Sequence, residues 1–111
     1  MKVNILGVKY TILIADEKKK PKLKMCDGYI DTSIKQIVVG KFEKDPMSIE
    51  DLESYTKSVL RHEIIHAFLY ESGLWNNSSS PEAWGQSEEI TDWIALQFPK
   101  MLKAFKEAKA L

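Results

Sequence analysis

Two histidines and a glutamate form the one stretch of this chain whose spacing can do chemistry, RHEIIHAF at residues 61–68. On an α-helix, residues four apart share a face, so His62 and His66 can both point at one metal ion. Glu63, next to the first of them, is placed to act as a general base on water held by that ion. The chain has only two histidines and ten glutamates. Shuffling its composition reproduces this arrangement in roughly one chain in six hundred.

Two imidazoles do not close a catalytic zinc site, which takes three protein ligands and keeps one position open. No histidine remains, and the single cysteine, Cys26, precedes the motif in a region that reads as strands. A carboxylate is therefore required. The candidates downstream are Glu71, Glu82, Glu88, Glu89 and Asp92. Glu71, five residues after His66 on the same helix, is turned well away from the ion, and Glu82 falls in a polar loop. Glu88 and Asp92, four apart, share one helical face, with Glu89 turned from it by about 100°.

The elements that must position these groups can be read in outline. Residues 3–14, VNILGVKYTILI, are rich in β-branched side chains and alternate around Tyr10, Ile12 and Ile14, predicting at least one strand, with a short helix or bulge allowed at Gly7. After the turn signal Asp27-Gly28, segments 29–31 and 36–39 predict a hairpin with 32–35 at its turn. Ser48 is a candidate N-cap for a helix from Ile49 to about Ser72, stopped by Gly73. Leu52, Thr56, Val59, Leu60, Ile64, Ala67 and Phe68 recur along it at spacings of three and four, the mark of a buried stripe. A polar loop at 76–85 follows. A second helix then carries the acidic pair and ends near Pro99, and a third spans 100–110. The expected fold is α+β: a small antiparallel or mixed sheet of about three strands, then the long motif helix, then one or two C-terminal helices.

Composition narrows the partners. The 111 residues suit a single domain, 1–111. Sixteen basic residues balance sixteen acidic ones, so no global field favours nucleic acid or an anionic membrane. The basic run KKKPKLK at 18–24 has no interleaved aromatics and follows Asp16 and Glu17, which reads as a solvated loop rather than a nucleic-acid patch. The N-terminal apolar run is too short and too polar for a signal sequence or a membrane span. The lone Cys26 has no internal disulfide partner, and a cytoplasmic location is expected.

HEIIH at 62–66, followed after 21 intervening residues by EEITD at 88–92, resembles the gluzincin arrangement of zinc peptidases. Within that group the short form is similar to the ImmA/IrrE family of metallopeptidases of phages and mobile elements. The likeness runs over about residues 25–98 through DGYIDTSIKQIVVG, VLRHEIIHAFLYESGL and the acidic helix, without the Leu-Met-Pro ending often found after that helix. The resemblance implies a minimal zincin-like domain with Zn2+ held by His62, His66 and Glu88. It also implies that Asp92 hydrogen-bonds His62 and fixes its tautomer.

The expected activity is zinc-dependent hydrolysis of peptide bonds in a protein substrate, with Glu63 as base and then as proton donor to the leaving amine. An oxyanion donor is also needed; without a third histidine the candidate is Tyr70, four residues after His66. Strand addition near Ile37–Val39 is the expected way to hold the substrate backbone. A regulatory protein partner is also compatible with the loop at 76–85. The alternative expectation is a catalytically weak or inactive module of the same fold that binds a partner protein.

Overall fold

A computed structural model describes residues 1–111. Four strands precede two long helices: β1 (Lys2–Ile5), β2 (Val8–Ala15), β3 (Gly28–Asp31), β4 (Gln36–Gly40), α1 (Leu52–Glu71) and α2 (Glu88–Glu107). Short 3-10 turns lie at Pro21–Lys24 and Trp84–Gln86. The fold is α+β, and its sheet has four strands rather than about three because residues 2–15, expected to hold at least one strand, supply two as a hairpin. Leu6 and Gly7 at its tip take φ of +50° and +88°, the positive pair that a tight two-residue hairpin turn requires. The Gly7 N–H donates to Asn4 Oδ1 at 2.8 Å, so Gly7 makes a turn and not the helix or bulge the local sequence allowed.

The strand order is β1-β2-β4-β3. β1 and β3 pair antiparallel with their inner neighbours, whereas β2 and β4 run parallel, Ile12 beside Ile37 and Ile14 beside Val39. A parallel pair needs a long crossover. Here the crossover includes β3, which ends on the outer edge of the sheet. The β3–β4 turn falls at 32–35, where Asp31 Oδ1 accepts the Ser33 N–H at 3.0 Å and Lys35 takes φ of +55°.

Alternation decides which face is covered. Tyr10, Ile12, Ile37 and Val39 point to one side and pack with Ile5 and with Ala67 of α1. Removing one such buried aliphatic side chain, as in Ile37→Ala, costs about 2–5 kcal/mol. On the reverse face, the basic 16–27 segment is tied down rather than free: Lys20 Nζ donates to Gln36 Oε1 at 3.3 Å and Lys22 Nζ stands 4.8 Å above the Tyr29 ring.

The long helix starts three residues later than its sequence suggested. Asp51 caps it, accepting the Ser54 N–H at 3.0 Å, while Ser48 is engaged with the backbone of Asp45. Gly73, at φ +89°, ends it. The expected second and third helices are one: α2 continues from Glu88 to Glu107 with Pro99 inside. The proline leaves the Ala95 carbonyl without an amide from residue 99, and Arg61 Nε supplies the donor at 2.6 Å. No helix is long and apolar enough to cross a membrane.

Candidate metal centre

The buried stripe of α1 fixes which side of that helix remains for chemistry. With Val59 and Ala67 packed on the sheet, His62 and His66 turn toward α2, whose first turn brings Glu88 alongside. His62 Nε2 lies 3.2 Å from Glu88 Oε2, and His66 Nε2 lies 2.5 Å from Glu88 Oε1. One donor atom from each of the three residues falls within a 4.8 Å span, and no other group of three potential ligands in the chain does so. Ligands around a four-coordinate zinc sit roughly 3.3 Å apart. The two imidazoles and one carboxylate therefore match that ion in donor type, and a small rotation of the exposed Glu88 side chain lengthens its 2.5 Å contact with His66 to that spacing.

The other ring nitrogens differ. His62 Nδ1 lies 3.3 Å from Asp92 Oδ1, so a proton on Nδ1 is held by the carboxylate and the lone pair on Nε2 is left free. His66 Nδ1 is buried with no protein hydrogen-bond partner. Packing orients that ring instead: His62 lies edge-on at 4.7 Å and Trp75 at 5.3 Å. Burial pushes the pKa of His66 down, partly offset by Glu88, and so favours the neutral imidazole that a metal requires.

Glu63 points to the sheet side of the same cleft and is only 5% exposed. Burial pushes its carboxyl up to about 7, with His62 and Lys22 pulling down and Glu88 pushing up. That is the range in which a carboxylate exchanges protons most readily near neutrality. Its position depends on Gly28: a Cβ there would lie 3.0 Å from Val59 Cγ1 and 3.2 Å from Glu63 Cγ. Gly28 is thus the gap in β3 that admits the Glu63 side chain. The sequence marks it only as part of a turn.

The remaining candidates separate cleanly. Tyr70 lines the cleft with His66 and Glu63, and its ring lies under Lys35 Nζ at 5.0 Å and beside Trp75 at 6.1 Å. Glu71 is engaged elsewhere, accepting from Tyr10 at 2.6 Å and Lys35 at 2.9 Å. Glu82 and Glu89 are exposed and outside the cluster. Cys26 is a half-buried free thiol on the cleft wall. The larger hollow of the molecule, about 870 Å3 between Leu23, Phe42 and Tyr55, contains no histidine; His66 lines a smaller cleft of about 360 Å3 and His62 an adjoining one of about 390 Å3, with Glu63 and Glu88 on both. Trp75 is the residue that sequence reasoning missed. Its only signal is its place just after the helix-stopping Gly73, where Gln86 Nε2 donates to its carbonyl at 3.1 Å.

Backbone geometry adds a second element to the cleft. Ile37–Val39 belongs to β4, paired on both sides, so the expected strand addition has no free edge there. Of the two edge strands, β1 and β3, it is β3 that borders the cleft. Because Gly40 N–H donates to Asp27 carbonyl, the alternation of an antiparallel ladder turns the backbone groups of Gly28 and Ile30 away from β4. Both residues line the cleft beside Glu63 and His66. Comparison with protein-family models, with curated proteins and with solved structures finds no match to this chain.

Proposed function

We propose that the chain is a zinc-dependent metalloendopeptidase of the gluzincin type, similar to the ImmA/IrrE metallopeptidases, acting on a protein substrate in the cytoplasm. The observation that carries this reading is the convergence of His62 Nε2, His66 Nε2 and a Glu88 oxygen within 4.8 Å, with buried Glu63 beside them. Zinc held by these three side chains supplies the Lewis acidity that polarises a scissile carbonyl and acidifies water. Asp92 holds the His62 tautomer, and Trp75 holds the His66 ring. Glu63 takes the proton of the attacking water and delivers it to the leaving amine nitrogen. The outward N–H and C=O groups of Gly28 and Ile30 align the substrate as an added strand. Tyr70 is the side-chain candidate for stabilising the oxyanion.

Glu63→Gln separates an enzyme from a binding module of the same fold, because the amide keeps the shape but cannot accept the proton. The variant is expected to retain zinc at wild-type stoichiometry and to lose cleavage of unfolded protein substrates by at least about a hundredfold. Undiminished cleavage by zinc-loaded Glu63→Gln removes Glu63 from the mechanism. Absence of cleavage by the zinc-loaded wild type removes the peptidase reading itself.

A further inference from the structure

The cleft carries one lysine or arginine on its walls, Lys22. Its backbone is set by the 3-10 turn Pro21–Lys24, where its carbonyl accepts the Met25 N–H at 3.1 Å. Its ammonium stands 4.8 Å above the face of Tyr29 on the edge strand β3. No carboxylate of the chain lies within ion-pair distance of it. Lys35 shows the contrast: it stands over Tyr70 in the same way, but Glu71 neutralises it at 2.9 Å. An exposed ammonium standing over the edge strand at the rim of the cleft, left without a counter-charge, is available to a bound molecule.

Resting on the peptidase reading above, we propose that Lys22 is a specificity residue that selects substrates carrying a carboxylate beside Tyr29. A segment added to β3 through Gly28 and Ile30 places one side chain next to Tyr29, on the same face of the sheet. Neighbouring side chains on adjacent strands have Cβ atoms about 4.5–5.5 Å apart, so the carboxylate of an Asp or Glu at that position reaches the ammonium of Lys22. A C-terminal carboxylate ending at the same place offers the same chemistry. Glu63 and Glu88 are the acidic side chains lining this cleft, and the proposed chemistry assigns the first to proton transfer and the second to the metal.

The test uses the zinc-loaded full chain and a mixture of synthetic peptides in matched sets: Asp or Glu against Asn or Gln, each with a free or amidated C-terminus. Wild type is expected to cleave the carboxylate-bearing members with kcat/KM about three- to tenfold above their neutral matches, less so at high salt. Lys22→Met should abolish that preference, read as the ratio of kcat/KM between carboxylate-bearing and neutral matches so that any change felt through Glu63 is common to both, and Lys22→Glu should reverse it toward the neutral matches. A preference that follows amidation identifies the chain end as the source, and one that follows Asp and Glu identifies the side chain; both support the proposal. No preference in the wild type, or one that survives Lys22→Met, overturns it. Fluorescence anisotropy of the same labelled peptides on zinc-loaded Glu63→Gln reads Lys22 without turnover. Selective binding there with no cleavage by the wild type overturns the peptidase reading alone.

Discussion

Arg61 Nε donates to the carbonyl oxygen of Ala95 at 2.6 Å, and Ala95 stands four residues before Pro99. In an uninterrupted helix that oxygen accepts the amide of residue 99, which proline lacks. A side chain of α1 thus completes the backbone of α2, and the helix that presents Glu88 continues through its proline. Arg61→Ala is expected to lower stability by about 1–3 kcal/mol, the cost of an orphaned carbonyl. In a Pro99→Ala background the restored amide takes the carbonyl, and the same substitution should cost under about 1 kcal/mol. A double-mutant cycle by urea unfolding measures the difference; equal costs in both backgrounds would show that Arg61 acts by packing alone.

Asp92 and Glu89 are both acids on the first turns of α2, yet only Asp92 reaches an imidazole, at 3.3 Å from His62 Nδ1. Asp92→Ala is expected to weaken zinc binding about 10–100-fold, because the ring loses the partner that sets its tautomer. Glu89→Ala should leave affinity unchanged. Competition against a chromophoric chelator ranks the two, and matched affinities would remove Asp92 from the site.

Gly28 matters through contact rather than through an unusual backbone. A methyl group there meets the Val38 carbonyl oxygen and Val59 Cγ1 at 3.0 Å and Glu63 Cγ at 3.2 Å, so strand and helix must separate. Gly28→Ala is expected to cost about 1–3 kcal/mol. If Glu63 is the base, as proposed, displacing it by a fraction of an ångström to 1 Å should lower kcat/KM up to about a hundredfold while zinc still binds. Thermal unfolding and turnover at saturating zinc read the two effects separately; full activity would show that Glu63 needs no such clearance.

Much of this arrangement is legible in the residues because it rests on helical periodicity. One period of four puts His62 and His66 together, another aligns Glu88 with Asp92, and the apolar stripe through Val59 and Ala67 says which side of α1 is covered. The turn at 32–35 and the stop at Gly73 follow from local backbone preference. What escapes is set by pairing across the chain. Pro99 reads as a helix end until Arg61, 34 residues before Ala95 in the sequence, donates to the vacant acceptor. Ile37–Val39 reads as a substrate edge until the sheet order puts β2 and β3 on its two sides. Trp75 has no periodic signal at all, since its contact with His66 arises from the chain reversal after α1.

Glu71 illustrates how a motif-adjacent acid becomes structural. It accepts from Tyr10 Oη at 2.6 Å and from Lys35 Nζ at 2.9 Å, joining the end of α1 to β2 and to the β3–β4 turn. The Tyr10 hydrogen bond first, and the Lys35 ammonium with it, hold the Glu71 carboxyl below the usual glutamate value. A carboxyl whose folded pKa lies below its unfolded one contributes stability that is fully present above the unfolded value, about 4.3, and is lost as pH falls through the folded pKa. Glu71→Gln is therefore expected to flatten the acid limb of a stability profile taken between about pH 7 and pH 3. Tyr10→Phe removes the larger of the two contacts. It should cost about 1.5–3 kcal/mol at neutral pH and make the acid limb shallower, ending at a higher pH, because Glu71 then rests on Lys35 alone. Urea midpoints across the range measure both; an acid limb unchanged in Tyr10→Phe would place the stabilising charge elsewhere.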